Sequence, residues 1–378
     1  MRLLSVIETL SRGGAEQALI NNLVELQKTG VECSVATLFQ GNALTGQLEE
    51  LGIEVHFLNL SSKWRVFEGV YKLARLVSKN RYDIIHAHLF FSYFYTGLAG
   101  LFHPNIRTLT TFHNLGYNAF PDNTIKKKLK KKLGSLVATK LIDRKIAVSY
   151  AVKEHYIYHL GVKDIDILPN SFPLDSIRSL SNSSRNEALN RYVENSNHFR
   201  YYSITPGRLV HEKGHVFLID ALEILSKTKP NLFHFIVGAG PLETQIRQKI
   251  QEKNLQNVTL IPSAGQLELF ALIKACDFVV VPSISEGFGM VVGEAMALEK
   301  PVIATEVGGI PDLVENEKEA ILVPASDSRA LADAMERLCL DKNLQSKLAR
   351  NAAQKITLFD ASQVAKKWVA YYQLMLKS

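Results

Sequence analysis

The stretch Phe278-Val279-Val280-Val281-Pro282-Ser283-Ile284-Ser285-Glu286-Gly287-Phe288-Gly289-Met290-Val291-Val292-Gly293-Glu294-Ala295-Met296-Ala297 changes character twice. It opens as a short apolar run, Phe278–Pro282, of the kind a buried strand needs. It then turns through Gly287 and Gly289, which permit a tight loop with exposed amides. From about Gly289 it continues as a helix. A helix start after a strand leaves free N–H groups and the positive end of a dipole together, a ready anion site. Glu286 is expected in the loop and Glu294 on the early turns of the helix. Each ionised carboxylate is acceptor-only and can grip a diol, so the pair suits recognition of sugar hydroxyls. The bland alternative is a helix entrance whose glutamates only complement the dipole.

A second strand-to-helix loop has the same build. Gly207-Arg208-Leu209-Val210-His211-Glu212-Lys213-Gly214 follows the apolar run Tyr201–Pro206. A guanidinium fork at Arg208 and a mobile ammonium at Lys213 match a diphosphate. A solvated basic loop would read the same.

Outward from these loops, strand-like and helical runs alternate. The expected strands are Leu3–Glu8, Glu32–Leu38, Glu54–Leu58, Ile84–His88, Thr108–Phe112, Lys145–Ser149 and Ile165–Leu168, then Tyr201–Pro206, Phe233–Val237, Val258–Ile261, Phe278–Pro282 and Val302–Thr305. Such alternation predicts parallel sheets covered by helices on both faces. The expected class is α/β, with two Rossmann-like doubly wound domains facing a central cleft at the carboxyl ends of their strands. The boundaries read as 1–170 for the first domain, a Ser- and Asn-rich linker over 171–198, and 199–360 for the second. A helix over 361–378 is expected to pack back on the first.

The bulk numbers fit that picture. The chain has 378 residues, 47% of them hydrophobic and 21% charged, and a formal net charge of +7 that favours acidic partners. Cys33, Cys276 and Cys339 are odd in number and widely spaced, neither a disulfide framework nor a zinc spacing, which suits a reducing cytoplasm. Met1–Ile7 reads as a first strand and not as a signal peptide. The apolar stretch Leu89–Phe102 is shorter than the ~20 residues a membrane span needs.

Taken in order, these motifs resemble the family 4 retaining glycosyltransferases of GT-B architecture. Gly207-Arg208-Leu209 with Glu212-Lys213-Gly214 is similar to the family's phosphate loop. Val237-Gly238-Ala239-Gly240-Pro241 is similar to its next glycine turn, and Glu286 with Glu294 to its spaced glutamates. Val307-Gly308-Gly309-Ile310-Pro311-Asp312 follows as the family has it. In the first half, Gly13-Gly14-Ala15-Glu16 resembles the family's glycine loop, and Thr110-Thr111-Phe112-His113 its active-site histidine segment. Asn114 stands where the family often has an acid.

The resemblance implies roles. Arg208 and Lys213 would neutralise the leaving diphosphate. Glu286 would bond the donor sugar, helped by the amides of Phe288, Gly289 and Met290, and Glu294 would hold the ribose. His113 would lie beside the transferred sugar, and Gly14 would admit the phosphate or acceptor. Gly207 and Gly238, in the phosphate loop and the glycine turn after it, would belong to the nucleotide-binding set. No cofactor and no metal is expected: the donor, a UDP- or GDP-sugar, is a substrate, and fixed cations can carry the developing charge.

Other signals are weaker. Gly238-Ala239-Gly240 fails as a dinucleotide fingerprint, because Glu243 occupies the third glycine position. Asp164 and Asp166 lack grouped ligands and read as a solvated strand edge. His86 and His88 share one face of a strand, either lining the acceptor site or packed as polar core residues. Lys126-Lys127-Lys128-Leu129-Lys130-Lys131-Lys132-Leu133 carries six lysines around an expected apolar seam of Ile125, Leu129, Leu133 and Leu136 or Val137. It reads as contact with an anionic membrane surface or a lipid-linked acceptor, against a merely solvated face. Nucleic acid is not expected, since no binding module surrounds the patch.

The sequence therefore reads as a cytoplasmic, peripheral transferase with a glycan or glycolipid acceptor. The alternatives are a nucleotide-sugar epimerase or hydrolase of the same architecture, or a transferase acting on a small soluble molecule.

Overall fold

The computed structural model describes residues 1–11, 13–63, 65–117, 125–179, 184–193, 198–228, 231–262 and 264–377, without the side chains of 125–127 and 228. The chain divides into two compact units: Met1–Ser171 with Ala361–Ser378, and Phe172–Asp360.

The first unit is built on seven parallel strands: β1 Arg2–Ile7, β2 Glu32–Thr37, β3 Glu54–Phe57, β4 Ile84–His88, β5 Arg107–Phe112, β6 Arg144–Ala147 and β7 Ile165–Ile167. Their order is β3-β2-β1-β4-β5-β6-β7. The inner strands are buried along nearly their whole length because helices cover both faces. One core layer combines Leu3, Ile7, Leu19, Leu23, Ile84 and Leu109 with Val364, Trp368 and Tyr372 of the terminal helix, Ala361–Lys377. That helix packs against helix Gly14–Lys28.

The second unit has six parallel strands: β8 Tyr201–Pro206, β9 Leu232–Val237, β10 Val258–Ile261, β11 Phe278–Val281, β12 Val302–Thr305 and β13 Ile321–Val323. Their order is β10-β9-β8-β11-β12-β13. β8 and β9 are buried at every position. The edge strand β13 has only three residues, too few for the sequence pattern to show it.

In each sheet the chain winds outward one way and then returns to the middle to wind the other way. The switch lies between β1 and β4 in the first unit and between β8 and β11 in the second. In open parallel sheets this is where ligands bind. The loops after β8 and β11 are the two Gly-containing stretches quoted above.

The stretch expected as a linker carries helices Leu174–Ser179 and Arg185–Asn190, whose Leu174, Ile177, Ala188 and Leu189 are buried in the second unit. Residues 180–183 and 194–197 of that stretch lie outside the described ones. Ser171 closes the first unit: its carbonyl accepts from Asn21 Nδ2 at 3.1 Å and its hydroxyl donates to Asn22 Oδ1 at 2.7 Å.

The lysine helix, Ile125–Lys140, departs from its expected seam. Leu129 and Leu136 are 53% and 55% exposed. Val137, one of the two residues expected to end the seam, is buried, but it is joined by Gly134 and Ala138 and not by Leu129, against helix Phe90–Gly100. Gly134 has no side chain to hold the helices apart; a Cβ there would lie 2.6 Å from the Phe90 ring. That close approach, not leucine spacing, selects the face. Among the described residues no helix is long and apolar enough to cross a membrane.

Candidate active site

The second unit's site is assembled from backbones that touch. Gly214 follows a single 3-10 turn, His211–Lys213, with φ of 66°, and a Cβ there would lie 1.9 Å from the carbonyl oxygen of Pro282. Gly308, with φ of 54°, would place a Cβ 1.7 Å from the Glu286 carbonyl oxygen. Only glycine accommodates both the left-handed backbone and the contact. The Glu212 carbonyl accepts from Ile284 N–H at 2.8 Å, locking the β8 loop to the β11 loop. Gly238 and Gly207 meet in the same way: a Cβ on Gly238 would lie 1.9 Å from the Gly207 oxygen.

This locking brings charges together. Lys213 Nζ donates to Glu286 Oε1, with side-chain exposures of 22% and 11%. Ser283 Oγ donates to the same oxygen at 2.8 Å. Thr305 Oγ1 donates to the Ser283 carbonyl and steadies that turn. Glu294 sits on helix Met290–Ala297, half-buried. Burial raises its carboxyl to about 7, and the nearby Lys213 charge only partly opposes this. A carboxyl so withdrawn, beside a cation, is suited to binding polar groups in place of water.

The other residues singled out in this half are placed as follows. Arg208 is exposed on the loop after β8. Its carbonyl accepts from His215 Nε2 at 3.1 Å, and burial lowers that imidazole to about 4. Gly289 caps helix Met290–Ala297 with φ of 97°. The Phe288 side chain is core, 3% exposed and packed with Phe172 and Phe359, so only its backbone is available at the helix start. Gly293 admits Phe172, whose ring would lie 2.0 Å from an added Cβ. Ser283, Thr305 and His215 carried no earlier assignment. Ser283 stood inside the quoted stretch, but nothing in its neighbours marked it as the partner of Glu286.

The first unit has its own polar cluster at the ends of β4 and β5. His88 Nδ1 and His113 Nε2 share a hydrogen bond of 2.9 Å. His86 Nδ1 meets the Tyr372 hydroxyl at 2.9 Å, and its Nε2 meets Thr111 Oγ1 at 2.7 Å. Burial pushes His113 down to about 4 and His86 to about 3, and drives His88 well below its ordinary value, so all three are neutral near pH 7. Of the two readings of His86 and His88, His86 is a packed polar residue bound to the terminal helix, whereas His88 reaches His113. Gly14 begins helix Gly14–Lys28 and is exposed. Among the described residues no three His, Cys, Asp or Glu side chains group as a metal site would need.

Two family models match the chain: the "Glycosyltransferase Family 4" model over residues 12–176 and the "Glycosyl transferases group 1" model over residues 187–355. The chain belongs to the family 4, group 1 glycosyltransferases. This glycosyltransferase is 25% identical to the D-inositol 3-phosphate glycosyltransferase of Pseudarthrobacter chlorophenolicus, over 91% of its own length and 82% of the relative's. It is 29% identical to the O-antigen chain mannosyltransferase C of Escherichia coli, over 48% and 46% of the two chains. Its fold is the GT-B architecture: it matches a crystal structure of Anabaena Alr3699/HepE in complex with UDP-glucose with a TM-score of 0.85 at 22% identity, covering 99% of both chains. A glycosyltransferase from Rickettsia africae matches with a TM-score of 0.82 at 21% identity, over 100% and 99% of the two chains.

Proposed function

We propose that this glycosyltransferase moves a sugar from a nucleoside diphosphate sugar, UDP- or GDP-linked, to a glycan acceptor with retention of configuration and without a metal. The observation that carries the reading is the convergence of Lys213, Glu286 and Glu294 at the switch point of the second sheet, on loops that also carry Arg208 and the helix start at Gly289. Arg208 and Lys213 neutralise the departing diphosphate, with the amides of Phe288, Gly289 and Met290 beside them. Glu286 holds hydroxyls of the transferred sugar, and Glu294 holds the ribose diol. His113 and Gly14 are assigned to the sugar and to the phosphate or acceptor. Fixed cations and a helix start can stabilise a phosphate leaving group directly. The UDP and UDP-glucose in the HepE structures support a nucleotide-sugar donor.

A thermal-shift panel of UDP, GDP, ADP and their sugars tests this. A ligand at 100 times its dissociation constant stabilises the fold by about 2.7 kcal/mol. Stabilisation by one family of nucleotides supports the reading; no response to any contradicts it.

The acceptor is proposed to be lipid-linked or membrane-associated, as in cell-surface polysaccharide or glycolipid synthesis, with the enzyme peripheral on the inner face of the membrane. Lys128, Lys131 and Lys132 are exposed on the same helix as the exposed Leu129 and Leu136, a mixture suited to an anionic bilayer surface. Each lysine near such a surface contributes about 1 kcal/mol. Replacing Lys128, Lys131 and Lys132 by alanine should release the protein from anionic vesicles in co-sedimentation. Unchanged binding would count against the lipid reading.

A further inference from the structure

We infer that His88 is a positioning residue that fixes the ring orientation and the neutral tautomer of His113; this rests on the assignment of His113 to the transferred sugar. The two imidazoles share one hydrogen bond, His88 Nδ1 to His113 Nε2 at 2.9 Å, so one nitrogen carries the proton and the other a lone pair. Their remaining nitrogens, His88 Nε2 and His113 Nδ1, are buried without a partner among the described residues. The two rings are therefore held in the same tautomer, both Nδ1–H or both Nε2–H, and the choice made at His88 dictates whether His113 Nδ1 donates or accepts.

His88 is itself held between His113 and His86. It is 2% exposed, and its ring lies 4.1 Å from that of His86. His86 is gripped in turn by the Tyr372 hydroxyl, Thr111 Oγ1 and the Trp368 ring at 5.0 Å. The residue after His88 is Leu89, with φ of 73° and ψ of 172°, a region that essentially only glycine populates freely. Such strain persists only where surroundings over-determine it, and it clusters at working sites. Here the Glu8 carboxylate accepts from Phe91 N–H at 3.0 Å and pins the helix start that follows. The terminal helix thus reaches His113 through a frame of buried rings, although it lies at the far end of the sequence.

The test compares two amide replacements. His88→Asn puts an amide where Nδ1 stands; His88→Gln puts it one bond farther out, where Nε2 stands. With the donor sugar found in the nucleotide panel, His88→Asn should keep kcat within about tenfold of the parent, and His88→Gln and His88→Ala should lose about 10- to 100-fold. The dissociation constant for the free nucleoside diphosphate should stay within about twofold in all three. Ring ¹⁵N spectra should show one neutral His113 tautomer in the parent and in His88→Asn, and a mixture in His88→Gln. Equal kcat for the Asn and Gln variants, or an unchanged His113 tautomer in both, overturns the positioning role. His113→Ala separates the two levels: a variant that retains full turnover removes the His113 assignment and the positioning role with it, whereas an inactive one beside a fully active His88→Gln removes the positioning role alone.

Discussion

Lys213 and Glu286, 73 positions apart in the chain, form a part-buried ion pair to which Ser283 adds a hydrogen bond. The pair spans the two loops that meet at the sheet's switch point. Glu286 is a counter-charge for Lys213, and a diphosphate bound at these loops would compete for the same ammonium.

On the proposed role of Lys213 at the diphosphate, Lys213→Ala should lower turnover by about 10²–10³, on the order of 3 kcal/mol, while the protein stays folded, because the side chain is only partly buried. Glu286→Ala should lose transfer to a similar extent but still bind the free nucleoside diphosphate. Steady-state kinetics and calorimetric binding separate the two effects. Near-normal turnover of Lys213→Ala would remove the diphosphate assignment.

Glu294 should make nucleotide binding depend on pH. Burial raises its carboxyl to about 7, so below that value it is mostly protonated and can accept fewer hydrogen bonds from a diol. Affinity for the nucleoside diphosphate should rise from pH 6 to pH 8, and Glu294→Gln should be weaker and flatter across that range. Because the folded pKa lies above the ordinary value of 4.5, Glu294 stabilises the protein fully only below that value, and this contribution is lost as pH rises from there to about 7. Calorimetric titrations at three pH values check the affinity; a parent profile as flat as that of the Gln variant would contradict the assignment.

Gly214→Ala and Gly308→Ala should each destabilise the second unit and abolish transfer, since an added Cβ meets a backbone carbonyl and φ is left-handed at both positions. A left-handed non-glycine residue alone costs on the order of 1 kcal/mol, before the collision is counted. Gly46 lies in helix Thr45–Glu50 with open space around it, so Gly46→Ala should be neutral or stabilising. Thermal midpoints of the three variants decide this.

Acid should weaken the first unit early. His86, His88 and His113 are neutral when folded but take up protons near 6.5 when unfolded. Their stabilisation is complete above pH 6.5 and declines as pH falls towards 4, each imidazole contributing a slope of up to about 1.4 kcal/mol per pH unit. Urea denaturation at pH 7, 6 and 5 should show that loss, with His88→Asn reducing the slope.

The strand order's ingredients and the site loops were legible in the sequence because they follow local rules: apolar runs ended by proline or glycine, then a helix. Phe278–Pro282 with Gly287 and Gly289 is the clearest instance. What escaped depended on contacts between distant segments. Ile321–Val323 is too short to show a period, and Leu174, Ile177, Ala188 and Leu189 are buried although their stretch is rich in Ser and Asn. On the lysine helix two apolar stripes competed, and Gly134 against Phe90 decided for the one without Leu129. The bond between His88 and His113 joins the last residue of β4 to the residue just after β5, 25 positions away, and has no signature along the chain.

The most direct test of the account is a crystal structure of the enzyme with its nucleoside diphosphate. The two phosphates are expected within hydrogen-bonding distance of Arg208, Lys213 and the amides from Phe288 to Met290, with the ribose hydroxyls on Glu294. A diphosphate lying away from the Gly207–Gly214 loop and the Gly287 turn would contradict it.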